Sequence, residues 1–161
     1  MKLIKSKNNN KIDLANGFIA RKNYNKLFIE KNITEEPENY KYIFDDDVTI
    51  LNRYKFEKID NTKEKSNYVI RIDSRELKMP IIIRNKKDGD KINVKNLEGS
   101  KKLKDIFIEK KIDLAQRKEY PVVTDSNNEI IWVPGLKKSI FDKEINEKYD
   151  IIIKYTEEKN E

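Results

Sequence analysis

The 161-residue sequence contains no cysteine and no histidine. Without cysteine there is no disulfide framework and no thiolate metal site. Without histidine the commonest general base, the commonest metal ligand and every Ser–His or Cys–His arrangement are gone. Glycine is scarce as well. Gly17, Gly89, Gly99 and Gly135 lie far apart, so neither a P-loop nor a dinucleotide-type loop can be built to cradle phosphates. No apolar run approaches membrane-span length. Met1-Lys2-Leu3-Ile4-Lys5 has no apolar stretch behind it, so a secretory signal is not expected. A reduced, cytoplasmic setting fits these absences, and an independent enzyme is poorly supported.

What is abundant is charge. Charged residues make up 40% of the chain and hydrophobic ones 37%, and 35 Lys+Arg against 29 Asp+Glu leave a net +6. Lys, Ile, Asn and Glu dominate together, the mixture an AT-rich genome writes on any surface, so distribution says more than the total. Residues 80–111 hold ten cations (84, 86, 87, 91, 95, 101, 102, 104, 110, 111) and five acids (88, 90, 98, 105, 109). That segment therefore carries +5 of the +6.

Apolar periodicity predicts mostly antiparallel strands with little helix. Ile12–Leu14 and Phe18–Ala20 flank Asn16-Gly17, a strong hairpin turn, and Leu27–Ile29 is a further short strand. Thr34–Asn39, with Pro37, reads as a linker. Tyr40, Tyr42 and Phe44 fall on one strand face, as do Ile50, Tyr54 and Phe56, and then Tyr68, Ile70 and Ile72. Strands are expected at Ile81–Ile83, Lys91–Val94, Val122–Asp125, Ile130–Val133 and Tyr149–Tyr155. Asp88-Gly89 and Ser126–Asn128 are the turns. One main helix is expected over 101–111, with Ser100 as N-cap and Leu103, Ile106 and Phe107 on its apolar face. A short second helix over 114–119 is capped by Asp113 and stops before Pro121. The fold class is α+β. The expected division is a β-rich packing segment, 1–66, and an α+β domain, 67–161.

Several motifs have bland readings. Asp88 and Asp90 fit turn capping better than paired catalysis. Asp45-Asp46-Asp47 lacks the glycine and glutamate of a calcium loop and reads as a solvated turn. Trp132, and the Tyr40–Tyr42–Phe44 face, fit a core better than a base-stacking platform. Lys101, Lys102 and Lys104 at a helix start run against the macrodipole and would suit a phosphate. Alternatively they form a solvated lysine face.

The run Ile81-Ile82-Ile83-Arg84, Gly89-Asp90-Lys91, Gly99-Ser100-Lys101-Lys102-Leu103-Lys104-Asp105, Arg117, Pro121-Val122-Val123 and Ile130-Ile131-Trp132-Val133-Pro134-Gly135 resembles the C-terminal domain of bacterial tRNA(Ile)-lysidine synthetases. Residues 73–140 carry the resemblance, residues 10–30 follow it loosely, and 34–66 contain no matching motif. The family's whole enzyme uses ATP, with Mg, to adenylate the wobble cytidine of a minor isoleucine tRNA, and lysine then displaces AMP. That chemistry belongs to an N-terminal PP-loop domain with a Ser-Gly-Gly-x-Asp-Ser signature, and no such run occurs here. The resemblance thus implies a chain with no catalytic residues, cofactor or metal of its own, which holds the acceptor stem of tRNA(Ile). Arg84, Lys86, Lys87, Lys101, Lys102, Lys104 and Arg117 would contact the RNA backbone. In a structural alternative Arg84 or Lys102 is paired to carboxylates. The competing function is a protein-interaction module that packs on the catalytic domain or on a second copy as a homodimer.

Overall fold

The structure, a computed structural model, describes residues 11–13, 18–23, 26–31 and 39–158. The Asn16-Gly17 turn and the 34–38 linker lie outside the described residues. In chain order the strands are β1 Lys11–Asp13, β2 Phe18–Asn23, β3 Lys26–Lys31, β4 Lys41–Phe44, β5 Val48–Ile50, β6 Tyr54–Ile59, β7 Val69–Ile72, β8 Ile81–Asn85, β9 Lys91–Asn93, β10 Ser100–Lys102, β11 Pro121–Thr124, β12 Ile130–Val133, β13 Lys137–Lys138 and β14 Ile151–Glu157. Two helices, α1 Leu103–Glu109 and α2 Leu114–Glu119, lie between β10 and β11. Every strand pairing is antiparallel. This is the α+β class expected.

β1–β3 form a three-stranded sheet of their own. The rest is built on two larger sheets, ordered β13-β12-β11-β8-β4 and β5-β6-β14-β7. Both draw strands from either side of residue 66, so the expected 1–66 and 67–161 division runs through them. Their inner faces meet in one core. Ile81, Ile83, Val123, Ile131 and Trp132 from the first sheet pack on Ile50, Phe56, Ile70, Ile72, Ile153 and Tyr155 from the second. A second core lies on the outer face of the five-stranded sheet, where Leu103, Ile106 and Phe107 of α1 cover Val122, Ile130 and Val133. The central strands β8, β11 and β12 are thus buried on both faces. That is why β8, β11 and β12 read as continuous apolar runs rather than alternations.

A bulge assigns β12's side chains to the two cores. Val123 pairs with Trp132 and Thr124 with Ile130, leaving Ile131 as the extra residue. Ile131 and Trp132 consequently share the inter-sheet core, which strict alternation would forbid. Trp132 is fully buried and its indole N–H donates to the Asn67 carbonyl at 2.9 Å. It is a core residue, as the sequence predicts. Of the Tyr40–Tyr42–Phe44 face, Phe44 joins the core, Tyr42 is exposed, and the Tyr40 hydroxyl donates to the Glu119 carbonyl at 2.6 Å.

The turn between β5 and β6 carried no sequence signal. Leu51 and Asn52 both take positive φ, 55° and 52°, and Arg53 N–H bonds Ile50 O at 3.1 Å. This is the geometry of a type I′ hairpin turn without its usual glycine. Behind it, Glu119 at the end of α2 accepts the Tyr54 hydroxyl at 2.9 Å and Arg53 at 3.4 Å, tying the helix to the second sheet.

Burial pushes the Tyr40, Tyr54, Tyr120 and Tyr155 hydroxyls well above the ordinary tyrosine range, and Glu119's charge adds to the rise at Tyr54 and Tyr40. Because their folded values exceed the unfolded value of 10.0, their stabilising contribution is full below pH 10 and falls as pH rises above it. In an alkaline titration, tyrosinate absorbance from these four should appear only together with loss of circular dichroism.

Candidate nucleic-acid interface

The basic segment begins where β8 leaves the sheet. Lys86 to Asp90 form a tight turn, with Gly89 at φ +84°, a conformation that favours glycine. Asp90 holds the turn from inside: its carboxylate accepts the Lys87 backbone N–H at 2.8 Å. The same carboxylate takes a two-pronged grip from Arg84, both contacts at 3.0 Å. Arg84 Nε donates to Asn128 Oδ1 at 3.0 Å and Nη1 also donates to the Asn85 carbonyl at 3.1 Å. Asp90 is therefore a turn-capping and ion-pairing residue, and Asp88 is fully exposed beside it.

Arg84 is only 2% exposed. It does not take the expected role of an RNA backbone contact, because its guanidinium is buried and engaged with Asp90, Asn128 and the Asn85 carbonyl rather than presented to a phosphate. The carboxylate-paired alternative describes it. Asp90 also receives the chain of α1: its carbonyl accepts the Leu103 N–H at 3.0 Å.

After the turn, β9 and β10 form a two-stranded ribbon. Ser100–Lys102 is strand, so the expected N-cap at Ser100 and helix start at 101 shift forward. The N-cap is Lys102, with no side-chain cap bond, and α1 ends at Glu109. The reason is the ladder to β9, which holds residues 100–102 extended. α2 spans 114–119 as expected, and Asp113 caps it by accepting the Ala115 N–H at 3.2 Å.

The ribbon register decides which lysines face outward. Lys101 sits opposite buried Ile92, whereas Lys102 sits directly opposite Lys91. Lys101 is half-buried and pairs with Glu109 at 2.6 Å, which holds the Glu109 carboxyl below its usual range. Lys91 and Lys102 are both exposed, and neither forms an ion pair with the described residues. Like charges directly across a ladder destabilise it, so this placement favours an anionic partner. Lys87 in the turn and Lys104 in the first turn of α1 are also exposed and lack an ion pair among the described residues.

The other expected contacts are engaged elsewhere. Lys86 is largely buried, with its ammonium 5.9 Å from the Phe107 ring centre. Arg117 is half-buried, and its Nε donates to the Ile112 carbonyl at 2.8 Å, closing the loop between the helices. Of the seven expected contacts, Lys87, Lys102 and Lys104 thus form the outward set, joined by Lys91. Lys91 belongs to the basic segment but not to the seven expected contacts, since only the strand register reveals its pairing with Lys102.

Comparison with known proteins follows the same segment. Residues 81–151 match the family described as the TilS substrate C-terminal domain. The chain is 36% identical over 163 residues to the bifunctional protein TilS/HprT of Listeria monocytogenes serovar 1/2a, covering 97% of this chain and 25% of that protein. It is 46% identical over 94 residues to the tRNA(Ile)-lysidine synthase of Bacillus subtilis strain 168, covering 58% of this chain and 20% of that one. A crystal structure of a TilS C-terminal domain superposes with a TM-score of 0.69 at 29% identity, covering 76% of this chain and all of that one. The chain spans about a quarter of the length of the first two of these curated relatives, or less.

The Arg84–Asp90 pair should be costly to break from one side. Arg84→Ala leaves a buried carboxylate uncompensated and should lower unfolding free energy by about 3–5 kcal/mol. Asp90→Ala should do likewise, and the double variant should lose less than the two together, as read by urea unfolding. Additive losses would show that the pair is not coupled.

Proposed function

The chain belongs, over residues 81–151, to the TilS C-terminal domain family, and on that premise we propose that it is the tRNA-holding part of a tRNA(Ile)-lysidine synthase. In this reading it grips the acceptor stem of the minor isoleucine tRNA and carries out no chemistry by itself. ATP and Mg are used by the PP-loop part of the whole cytoplasmic enzyme, and no step of that chemistry falls to residues of this chain.

The observation that carries the proposal is the outward lysine set, Lys87, Lys91, Lys102 and Lys104, which the fold leaves without carboxylate partners among the described residues. An A-form stem offers phosphates and 2′-hydroxyls but little readable sequence. A rigid basic ribbon recognises such a target by shape and charge. Arg84, Lys86 and Arg117 are engaged within the fold, and Lys101 is paired with Glu109.

A second reading has one observation in its favour. An open cleft of about 440 Å³ lies between edge strand β4 and the β14 side of the sandwich, lined by Ile43, Met79, Pro80 and Ile151. Ile43 and Met79 are exposed there, as they would be at a packing face for a catalytic domain or a second copy.

Fluorescence anisotropy at two salt concentrations, with the minor isoleucine tRNA, an unrelated tRNA and duplex DNA, separates the readings. Tight binding that prefers tRNA and weakens steeply with salt is expected. Changing Lys87, Lys91, Lys102 and Lys104 to Gln should weaken binding to all tRNAs and lower the log–log salt slope by roughly 0.9 for each lysine engaged. Unchanged affinity in that variant would sink the assignment. Salt-indifferent self-association would favour the packing face.

A further inference from the structure

Two arginines in the sandwich are almost completely buried, Arg71 and Arg84, each 2% exposed. Their surroundings differ. Arg84 has a carboxylate gripping both ends of its guanidinium. Arg71, in β7, has none. Its Nη2 donates to the Thr62 carbonyl at 2.7 Å, the Tyr149 ring lies 5.9 Å from its guanidinium carbon, and its Nε is buried without any hydrogen-bond partner. A buried cation with an orphaned donor is costly unless an anion completes it.

Arg71 lines a polar cleft of about 200 Å³ whose walls bring Lys65, Lys95, Lys138 and Lys143 together with it, against the carboxylates of Asp142 and Glu144. Both carboxylates are already neutralised. Buried Asp142 accepts Lys95 at 2.8 Å, Lys138 at 3.4 Å and the Arg71 backbone N–H at 3.2 Å. Glu144 takes a second contact from Lys95 at 2.6 Å. Lys143 reaches Glu76 at 2.7 Å, and exposed Lys65 forms no ion pair with the described residues. Five cations line the cleft against two carboxylates, and among the described residues only Lys143 has a further acid, Glu76, outside it, so the cleft retains net positive charge beside the buried Arg71 guanidinium.

We propose that this cleft binds a phosphate group, with Arg71 at its floor and Lys65 at its rim, and with Lys95 and Lys138 shared between Asp142 and the oxyanion. The site uses none of Lys87, Lys91, Lys102 and Lys104, so it stands or falls separately from the lysine ribbon. The phosphate could come from an RNA backbone or from a free phosphate or small phosphorylated molecule; the chemistry is the same.

Thermal unfolding of the full chain in inorganic phosphate against chloride, at equal ionic strength, tests this. Phosphate should raise the melting temperature saturably, as binding to the folded state requires. The rim variant Lys65→Gln/Lys143→Gln should weaken phosphate binding by roughly threefold or more, read as a smaller increment at the same phosphate concentration. Arg71→Met should abolish the increment while melting no lower in chloride, because it removes an uncompensated buried charge. If Arg71→Met does not fold, the rim variant alone decides. The variant with Lys87, Lys91, Lys102 and Lys104 all changed to Gln should keep the full increment. Equal increments in the unmodified chain and the rim variant, the signature of general salting-out, would overturn the proposal, as would no saturable increment at all. Duplex RNA binding then identifies the source. Severalfold weaker RNA affinity in the rim variant means a backbone phosphate; unchanged RNA affinity with a lost phosphate increment means a free one.

Discussion

The basic side of this molecule hangs from one buried ion pair. Asp90 grips Arg84 with both carboxylate oxygens, caps the turn at Lys87, and through its carbonyl receives the first amide of α1. A single residue thus fixes the end of a central strand, the turn that follows it and the start of the helix that covers the sheet. Moving it would disturb all three, because each is short and α1 has only seven residues. A helix of that length is marginal alone and depends on burying Leu103, Ile106 and Phe107 against the sheet. The β9–β10 register sets which ribbon lysines face outward, and the clasp holds the turn and the helix that flank the ribbon.

Much of the architecture was legible because both cores leave a pattern. Continuous apolar runs at 81–83, 122–123 and 130–133 mark a sheet covered on both faces, and α2 follows from Asp113 and Pro121 to the residue. Other features were not legible for physical reasons. The type I′ turn at Leu51-Asn52 has leucine, which seldom adopts positive φ, at its first central position and no glycine, so only Asn52 hints at it. Ser100-Lys101-Lys102 has a cap residue followed by good helix formers, yet a tertiary ladder to β9 overrides that local preference. The β12 bulge is a register event between strands and has no signature within either.

The candidate site shows the same division. The concentration of cations in 80–111 is visible in one dimension, but which of them face a partner is set in three. Arg84 looks like an RNA contact in sequence because it sits in a basic loop. In the fold it is the clasp, since its strand neighbours bury it beside Asp90. Lys91 looks unremarkable until the register sets it against Lys102. Arg71 lies in a short apolar strand and gives no warning that it lines a basic cleft with its Nε buried and unpaired. Buried arginine is a reliable flag for function or framework, and only its partners tell the two apart.

The most direct measurement is a nuclear magnetic resonance titration of the isotopically labelled chain with an acceptor-stem RNA duplex, following backbone amides residue by residue. Shifts concentrated at Lys87, Lys91, Lys102 and Lys104, with the β4–β5 side unchanged, are the predicted result. Shifts confined to Ile43, Met79 and Ile151, or no shift at low salt, would contradict the assignment of the lysine ribbon as the RNA-holding surface.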